Sequence, residues 1–453
     1  MFTVEVFPAP ELGNASFLVA DPDRGVGLVV DPYRDVDGYL VRAESLGIKL
    51  THALDTHLHN DFVSGGRELA AEAGTAIGDL DPGQEVALGD LTLRALHTPG
   101  HTPDHKSYLL LEGDRPRALF SGGAVMVGAI ARTDLFGPHL AVHLALEALR
   151  TLQVRLRGLP DDVAVFPTHG SGSFCGTGGH SGHETTLGRE RATNPFFLTT
   201  EVMPFLARVL DQERYPAYYR DMAPINREGA PLLGRNPAAP AKLTAAEVER
   251  LMVEGAAVVD VRLGSEYDRG HIPGSYHVGM DGPFSAWVGW LIPRGRPIVL
   301  AGGTDADHRE AQRQLQRIGF DRISGAFDGG MDSWQSSGRV LSTFETVDIE
   351  DMAEWIVSAQ PMTVVDARDD HEWAAGHVPG AVHMYVPDVP HRANEISREA
   401  PVAVHCATGY RAGIAASLLE QAGMKRIIHV KGFPLPVQGA ISESHPPRAG
   451  AQG

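Results

Sequence analysis

Cysteine is scarce in this sequence, which has only Cys175 and Cys406 among its 453 residues. Two cysteines cannot supply the disulfide framework of a small secreted fold, so the count suits a reducing compartment. Long apolar runs are also lacking, and no stretch reaches the length that a transmembrane helix needs. Residues 1–6 alternate like a strand and have neither the basic nor the apolar region of a signal peptide. We therefore expect a cytoplasmic protein with no membrane partner.

Positive charge is the second deficit. Lysine and arginine number 39 against 57 aspartates and glutamates, which gives a formal net charge of −18 at pH 7. Such a surface repels polyanions, so we expect no nucleic-acid partner. The length of 453 residues is enough for about two to four domains, each with its own hydrophobic core.

Histidine, by contrast, is grouped. The stretch Thr56-His57-Leu58-His59-Asn60-Asp61-Phe62 follows a predicted strand at residues 50–54 and precedes a predicted helix at residues 67–73. Two imidazoles two positions apart and a carboxylate two further on can converge where a strand turns into a helix. This donor set predicts a transition-metal site, although an isolated His-x-His is also common in surface turns.

Two more histidines follow predicted strands. His101 lies in the loop of residues 97–103, which two prolines and a glycine make rigid, and His169 follows a short strand at residues 163–166. Three histidine clusters at successive strand ends indicate one site built across an edge of the sheets. Residues 139–157 are predicted to form an amphipathic helix, and residues 220–241, rich in Pro, Gly and Asn, a linker.

The C-terminal half contains an internal repeat. Val259-Asp260-Val261-Arg262 recurs as Val365-Asp366-Ala367-Arg368, and Gly270-His271-Ile272-Pro273-Gly274 recurs as Gly376-His377-Val378-Pro379-Gly380. Strands alternate with helices in both copies, so the repeat predicts two related α/β domains. With the histidine-rich half, this gives three predicted domains, at residues 1–235, 242–340 and 344–445.

The second copy contains a reactive loop. A predicted strand ending at His405 is followed by Cys406-Ala407-Thr408-Gly409-Tyr410-Arg411 and by a predicted helix at residues 412–422. Backbone N–H groups in such a strand-to-helix loop point at one concavity and suit an anion. The same field and the charge of Arg411 favour the thiolate form of Cys406, which makes it a candidate nucleophile.

This loop resembles that of the rhodanese family, which runs Cys-x-x-Gly-x-Arg, and the repeated Asp-Arg and Gly-His-Pro-Gly signatures belong to the same family. The resemblance covers roughly residues 344–440. It implies that Cys406 carries sulfane sulfur as a persulfide, and that Arg411 and the loop residues Ala407, Thr408, Gly409 and Tyr410 surround it. In the first copy Gly302 and Asp307 stand at the positions of Cys406 and Arg411. We therefore predict a catalytically silent domain that serves packing or dimerisation, so a homo-oligomer is one expected state.

The N-terminal half resembles the metallo-β-lactamase superfamily, a four-layer αββα sandwich. The resemblance rests on the motif from Thr56 to Asp61, on Pro99-Gly100-His101-Thr102 and on Thr168-His169-Gly170. Ala131-Arg132-Thr133-Asp134 and Thr185-Thr186-Leu187-Gly188 are similar to the branch of persulfide dioxygenases that is fused to two rhodanese domains, the first inactive and the second active. The resemblance implies an αββα sandwich followed by two α/β rhodanese-like domains. It also implies one non-haem iron, with its histidine ligands at His59 and His101 and with His57 beside them.

Two positions depart from the family pattern. Phe62 stands where the motif has a second-metal histidine, and Gly123 stands where the family has the carboxylate that completes the iron ligands. Three imidazoles alone leave the charge of a divalent ion uncompensated. Asp61 is one replacement ligand, and a three-histidine site or an empty site are the alternatives. We expect one divalent metal, Fe(II) rather than Zn(II), held among a set of five residues: His57, His59, His101, Asp61 and His169.

Cys175 lies six residues after His169, in a loop expected to border the pocket. It is either a second sulfur acceptor or a small buried hydrophobe.

These features predict an enzyme of sulfur metabolism that combines persulfide dioxygenase-like and thiosulfate sulfurtransferase-like activities. The metal domain would oxidise the persulfide of a low-molecular-weight thiol such as glutathione to sulfite with O₂, and Cys406 would transfer sulfane sulfur from a persulfide or thiosulfate. One alternative is a zinc-dependent thioester hydrolase of glyoxalase type, in which metal-bound water attacks a carbonyl. The other is a degenerate metal domain beside an active sulfurtransferase.

Overall fold

The computed structural model describes residues 2–78, 80–180 and 182–432. The chain forms two compact units, Met1–Ala238 with Arg313–Gly319 and Ala239–Gln312 with Phe320–Gly453. The first unit contains the histidine-rich half, and the second contains both copies of the repeat except residues 313–319 of the first copy. The three domain boundaries drawn from the sequence stay predictions, and the last of them, residue 445, lies outside the described residues.

The first unit contains two sheets. Its strands are β1 (Thr3–Ala9), β2 (Asn14–Asp21), β3 (Val26–Val30), β4 (Lys49–Leu54), β5 (Ala76–Gly78), β6 (Glu85–Leu88), β7 (Leu91–His97), β8 (Lys106–Glu112), β9 (Arg115–Gly122), β10 (Ala164–Pro167) and β11 (Thr185–Thr186). One sheet has the order β1-β2-β3-β4-β5, and the other has the order β11-β10-β9-β8-β7-β6. The helices are α1 (Asp37–Leu46), α2 (Gly66–Ala73), α3 (Pro138–Arg150), α4 (Leu187–Thr193), α5 (Pro195–Leu198), α6 (Val202–Leu210) and α7 (Tyr219–Glu228).

These two sheets pack face to face with helices outside. Phe17 and Leu54 of the first sheet share a buried core with Phe120 of the second. On the far face of the second sheet, Leu119 packs against Phe205 of α6, while α1 and α2 contact β4 on the first sheet. The layer order is helix, sheet, sheet, helix, which confirms the predicted αββα sandwich. The loops after β4, β7 and β10 supply the predicted site residues of this unit.

Two segments of the first unit differ from the sequence predictions. The helix predicted at residues 139–157 ends as an α-helix at Arg150 and continues as a π-helical turn, Thr151–Arg155. There the Thr151 hydroxyl donates a 2.8 Å hydrogen bond to the carbonyl of Pro99, beside His101. The predicted linker at residues 220–241 was wrong in its first part, because helix α7 occupies Tyr219–Glu228 and buries Tyr219 and Met222.

The second unit contains the repeat as two parallel sheets. The first copy has strands β12 (Lys242–Leu243), β13 (Ala257–Asp260), β14 (Tyr276–His277), β15 (Ile298–Ala301) and β16 (Ile323–Phe327), with helices α8 (Ala245–Val253), α9 (Gly264–Arg269), α10 (Phe284–Leu291), α11 (Asp305–Arg317) and α12 (Gly330–Ser336). The second copy has strands β17 (Glu345–Asp348), β18 (Thr363–Asp366), β19 (Val382–His383), β20 (Val402–His405) and β21 (Ile427–Lys431), with helices α13 (Ile349–Val357), α14 (Asp370–Ala375), α15 (Val389–Arg392) and α16 (Tyr410–Gln421).

Both copies have the same strand order. The first sheet runs β12-β16-β15-β13-β14, and the second runs β17-β21-β20-β18-β19. Equivalent strands therefore occupy equivalent places, and the two α/β domains inferred from the repeat are confirmed. Among the described residues, no helix combines the length and the apolar character needed to cross a bilayer.

Candidate functional site

The predicted histidines of the first unit lie together in a buried cluster. The ring centroid of His57 is 4.2 Å from that of His59 and 4.8 Å from that of His101. The ring of His169 is 5.1 Å from His101 and 5.3 Å from His57. Loops that are far apart in sequence thus bring four imidazoles to one point.

Hydrogen bonding fixes the tautomer of His57. The Thr56 hydroxyl donates to the carboxylate of Asp31, at 2.9 Å, so it can only accept from the Nδ1–H of His57, at 2.8 Å. A neutral imidazole that donates from Nδ1 has its lone pair on Nε2. Burial, followed by the neighbouring histidines, lowers the pKa of His57 well below its usual value, so the ring stays neutral.

The tautomer of His169 follows in the same way. The side-chain amide of Asn14 donates to Asp61 at 2.6 Å, which leaves its carbonyl oxygen to accept from Nδ1 of His169 at 3.1 Å. The lone pair of His169 therefore also lies on Nε2, and this atom is 3.3 Å from Nε2 of His57. Two lone pairs facing each other repel unless a cation or a shared proton lies between them. This pair of atoms is the first sign of a metal site.

His101 presents a free nitrogen to the same space. Its Nδ1–H donates a 2.7 Å hydrogen bond to the carbonyl of Arg132, and its buried Nε2 has no hydrogen-bond partner among the described residues. Burial, followed by the neighbouring His169, lowers the pKa of His101 to about 3. Nε2 is therefore an available ligand atom across the neutral pH range.

His59 is oriented differently. Its Nε2 lies 3.1 Å from the carboxylate of Asp31, and its ring stacks on Phe62 at 4.1 Å between centroids. Burial alone would lower the pKa of His59, but Asp31 outweighs it and raises the pKa to about 9. Its buried Nδ1 has no partner among the described residues. The ligand atoms of His57, His59 and His169 lie within 4.8 Å of one another.

Asp61 is the carboxylate that the sequence places nearest the cluster. One of its oxygens accepts from Asn14, and the other, Oδ1, is buried without a partner among the described residues. Burial opposes ionisation, but the interaction with His169 outweighs it and holds the pKa of Asp61 below its usual range. Asp61 is thus an anion beside the imidazoles.

Gly123, which takes the place of the family's carboxylate, has no room for a side chain. A Cβ atom there would lie 2.6 Å from the Cβ of Ala131 and 2.9 Å from Cδ2 of His101. The backbone N–H of Gly123 donates to Nε2 of His105 at 2.9 Å, and Nδ1 of His105 lies 3.0 Å from the hydroxyl of Thr98. His105 therefore holds the loop, and the surroundings of Gly123 are packed closed.

Helix α7 and the residue before it support the histidine loop, and the sequence analysis missed this role. The side-chain amide of Asn226 donates to the carbonyls of His59 and Phe62, both at 2.9 Å. The Tyr218 hydroxyl donates to the carbonyl of Asp61 at 2.9 Å. The paired tyrosines before the Pro-containing segment are the sequence signal for this role, although Pro and Gly there also indicate a linker.

Cys175 is fully buried beside this cluster. The ligand atoms of His101, His169 and Cys175 lie within 4.8 Å of one another. Burial, followed by the charge of Asp61, raises the pKa of the Cys175 thiol well above its usual value.

The donor set fits a divalent cation. Lone pairs on three imidazole Nε2 atoms and a thiol meet in one buried space, and first-row transition metals take these ligands. The residues whose ligand atoms group there are His57, His59, His101, His169 and Cys175, and the Asp61 carboxylate lies beside His169.

The second site lies in the second unit, in the loop between β20 and α16. The Sγ atom of Cys406 accepts hydrogen bonds from the backbone N–H groups of Gly409, at 3.1 Å, and Ala412, at 3.4 Å. Gly409 has a φ of 99°, a left-handed value that glycine adopts without strain. Cys406 is fully buried, whereas Ala407 and Thr408 are exposed. The loop thus directs two backbone N–H groups at the sulfur of Cys406.

Arg411 is already engaged in ion pairs. Its guanidinium contacts Glu372, with one oxygen at 2.8 Å, and Asp369 at 3.3 Å. Burial opposes ionisation of Arg411, but these carboxylates outweigh it and raise its pKa above the usual value. Its charge is therefore shared between the loop and two anions.

A cavity of about 690 Å³ opens beside the Cys406 loop. Thr408, Gly409 and Tyr410 line one side, and Lys431 adds a positive charge. The first copy supplies the opposite wall, which includes His277.

The first copy also helps to position the loop. Both ring nitrogens of His429 face hydrogen-bond acceptors, with Nδ1 2.8 Å from the carboxylate of Asp268 and Nε2 2.9 Å from the carbonyl of Gly409. The Tyr410 hydroxyl donates to the carbonyl of Gly279 at 2.9 Å. The first copy therefore forms part of the surroundings of the Cys406 loop.

Comparison with known proteins identifies relatives of both halves. The Rhodanese-like domain family matches residues 244–337 and 348–433. A hydroxyacylglutathione hydrolase from a Synechococcus species is 34% identical over 184 residues, covering 37% of this chain and 67% of its own length. A second, from Rhodopseudomonas palustris, is 33% identical over 170 residues, covering 34% of this chain and 62% of its own length. The chain thus spans about two thirds of the length of these relatives.

A solved structure matches more of the chain. A metallo-beta-lactamase from Staphylococcus aureus is 29% identical with a TM-score of 0.64, and the match covers 72% of this chain and 98% of that one. The metallo-β-lactamase fold of the first unit and the rhodanese-like folds of the second therefore agree with the resemblances found in the sequence.

Proposed function

Because this chain belongs to the metallo-β-lactamase-fold proteins of the hydroxyacylglutathione hydrolase type and has two rhodanese-like domains, we propose that it is a metal-dependent persulfide oxidase and sulfurtransferase. In this proposal Cys406 carries sulfane sulfur, and the first unit oxidises the persulfide of a low-molecular-weight thiol to sulfite. The fusion of a sulfur-carrying domain to a metal-binding fold favours this reaction over others known for the fold.

The observation that carries the proposal is the environment of Cys406. Two backbone N–H groups point at its sulfur, so fixed hydrogen-bond donors would take the place of water in stabilising a persulfide anion formed there. In sulfur transfer from thiosulfate, the Cys406 thiolate attacks the sulfane sulfur, and the S–S bond of thiosulfate breaks to release sulfite. Cys406 becomes a persulfide anion with the same charge as the thiolate. The adjoining cavity has room for a small thiol carrier, and Lys431 complements a carboxylate on it.

In the first unit, His57, His101 and His169 offer Nε2 atoms, with Asp61 beside them, and these residues would hold one divalent metal. Fe(II) bound there would supply the activation of O₂ that side chains alone cannot provide. Phe62 is fully buried and stacks on His59, where the family has a ligand for a second metal, so the set favours one metal over two. The overall reaction is GSSH + O₂ + H₂O → GSH + HSO₃⁻ + H⁺.

Oxygen uptake tests the proposal. Protein loaded with Fe(II) under anaerobic conditions is given glutathione persulfide in air-saturated buffer, and O₂ and sulfite are followed together. We expect equimolar O₂ consumption and sulfite formation, loss of both in His101→Ala, and normal thiosulfate sulfurtransferase activity in that variant. No O₂ uptake by the iron-loaded wild-type chain would remove the oxidase half of the proposal.

A second candidate is hydrolysis of a glutathione thioester. It is favoured by the similarity of the first unit to two hydroxyacylglutathione hydrolases, at 34% and 33% identity. A zinc-loaded sample that hydrolyses S-lactoylglutathione without O₂, and that leaves glutathione persulfide unchanged, would support this reaction instead.

A further inference from the structure

Charge balance at the histidine cluster requires an anion that the family position does not supply. The need for this anion rests on the proposed function, because it concerns the metal that the first unit would bind. Gly123 offers no carboxylate, and a side chain there would meet Ala131 and His101 at less than 3 Å. Neutral imidazoles alone leave a divalent cation in a buried site with its charge uncompensated.

Cys175 lies where such an anion is needed. It is fully buried, and its Sγ lies within 4.8 Å of the ligand atoms of His101 and His169. The free Nε2 of His101 is buried without a partner among the described residues, and it faces the same space. An unpartnered nitrogen and a sulfur atom around one point form a mixed nitrogen and sulfur donor set, which suits Zn, Fe and Co.

Arg132 positions both donors through its backbone. Its N–H donates a 2.7 Å hydrogen bond to the carbonyl of Cys175, and its carbonyl accepts the Nδ1–H of His101, also at 2.7 Å. The N–H of Cys175 in turn donates to the hydroxyl of Ser173 at 3.2 Å. One peptide segment thus fixes the ring orientation of His101 and the backbone of Cys175 at the same time. Such outer hydrogen bonds are typical of residues that hold metal ligands in place.

Asp61 alone does not supply the anionic ligand that would balance the charge of the cation. One of its oxygens is bound by Asn14, and the carboxylate lies 3.3 Å from Nδ1 of His169, on the side of that ring away from Nε2. That oxygen therefore lies behind the His169 ring, although the charge of Asp61 also acts on Cys175. Cys175 is grouped instead with the free nitrogen of His101.

We propose that Cys175 is a thiolate ligand of the metal in the first unit, together with His101 and His169, and replaces the carboxylate missing at position 123. Binding of the cation releases the thiol proton to solvent, so no oxidant or reductant is involved. This role differs from that of a sulfur acceptor, because a metal-bound thiolate is not free to form a persulfide.

Cobalt spectroscopy tests this ligand without turnover. The full-length Cys406→Ser variant has Cys175 as its one remaining thiol. We expect anaerobic addition of Co(II) to this variant to produce an intense near-ultraviolet sulfur-to-cobalt charge-transfer band at one cobalt per chain. The double variant Cys406→Ser with Cys175→Ser should lose the band and bind Co(II) at least about tenfold more weakly.

The outcomes separate this inference from the proposed function. A bound cobalt whose spectrum lacks the band in Cys406→Ser would overturn the thiolate ligand, whatever the oxygen uptake of the iron-loaded wild type. A clear band in a protein that consumes no O₂ with persulfide would support the ligand and remove the oxidase. The band is measured in a variant with Cys175 intact, so the test stands even if replacement of Cys175 prevents folding.

Discussion

The two copies of the repeat share a framework and differ in one loop. In the first copy, Arg262 forks onto Asp260 at 2.9 and 2.6 Å and reaches the carbonyl of Gly270 at 2.9 Å. In the second copy, Arg368 forks onto Asp366 at the same two distances and reaches the carbonyl of Gly376 at 2.8 Å. The signatures recognised as a repeat are therefore structural parts that both copies use.

The loops that follow β15 and β20 are not alike. Gly302, Gly303 and Thr304 separate β15 from α11, whereas Cys406–Gly409 separate β20 from α16. Thr304 and Asp307 cap each other at the start of α11, with the Thr304 hydroxyl 2.8 Å from the carboxylate and the Asp307 N–H 3.2 Å from that hydroxyl. The first loop thus satisfies its own helix end, while the second leaves its N–H groups for a sulfur anion.

One rhodanese-like framework thus accommodates loops with different hydrogen bonding. The same sheet order and ion pairs support a loop whose N–H groups face the sulfur of Cys406 in one copy and a self-capped loop in the other. What the first copy keeps is a supporting role, because its Asp268 contacts His429 beneath the active loop.

The largest expected effect is that of Cys406→Ser. A hydroxyl is a poor nucleophile toward sulfane sulfur, so we expect thiosulfate:cyanide sulfurtransferase activity to fall on the order of a thousandfold or more, to background. The thermal unfolding midpoint of the variant serves as the control and should match that of the wild type. Substantial remaining activity would place sulfur transfer elsewhere in the chain.

Gly302→Cys in the Cys406→Ser background tests whether a thiol alone gives the first copy sulfurtransferase activity. Gly302 has a φ of 67°, and a Cβ there would lie 2.5 Å from Nε of Arg262. We expect no recovery of sulfur transfer and a free energy of unfolding lower by about 1–3 kcal/mol, measured by urea denaturation.

A matched variant separates steric clash from backbone strain. Gly295 has a φ of 90°, but nothing lies within 4 Å of an added Cβ, so Gly295→Ala tests the strain alone. If Gly302→Cys gained sulfurtransferase activity, the missing nucleophile alone would explain the predicted inactivity of the first copy. The difference in loop structure between the copies would then not be its cause.

Asp268→Asn tests the support given by the first copy. Asp268 is almost fully buried and lies 2.8 Å from Nδ1 of His429, which in turn contacts the carbonyl of Gly409. Weakening this buried charged hydrogen bond should lower the free energy of unfolding by about 1–3 kcal/mol. It should also lower kcat/KM for sulfur transfer by about tenfold, since about 1.4 kcal/mol corresponds to a factor of ten.

The control is Asp370→Asn, an exposed carboxylate 3.8 Å from Nδ1 of His383. This change should leave stability and sulfur transfer within experimental error. Equal effects of the two variants would mean that the first copy gives the loop no specific support.

The smallest expected effect is that of Tyr410→Phe. It removes one hydrogen bond from the tyrosine hydroxyl to the carbonyl of Gly279, worth about 0.5–1.5 kcal/mol of stability. We expect kcat/KM to change by less than about threefold, because the N–H groups that face Cys406 belong to Gly409 and Ala412. A large loss of activity would instead indicate that the tyrosine contacts the sulfur donor.

Much of the fold could be predicted because the signals were local. The strand ending at His405 and the helix beginning near Ala412 follow from an apolar run, a glycine and a helix-forming segment, and the structure has β20 and α16 there. A constant sequence offset between the copies aligns Asp307 with Arg411. When the first residues of α11 and α16, Asp305 and Tyr410, are aligned instead, Ala306 is equivalent to Arg411. A one-residue difference in loop length cannot be read from one sequence.

The histidine cluster was predictable in part. The spacing within the His-x-His motif and the positions of His101 and His169 after strands indicate convergence, and the ring distances agree with it. The roles of Asn14 and Asp31 could not be predicted, because the tautomers depend on hydrogen bonds between residues far apart in sequence. The helix at Tyr219–Glu228 was missed because proline was given more weight than burial.

The complete burial of Cys406 limits which molecules can deliver sulfur to it. In the proposed sulfur transfer, a donor would have to insert a narrow terminal atom from the adjoining cavity, which Thr408 lines, while its bulk stays outside. Thiosulfate and small hydropersulfides have that shape. A protein donor would have to present its sulfur at the tip of an extended tail, and one that holds sulfur in a shallow groove on a globular surface would be excluded.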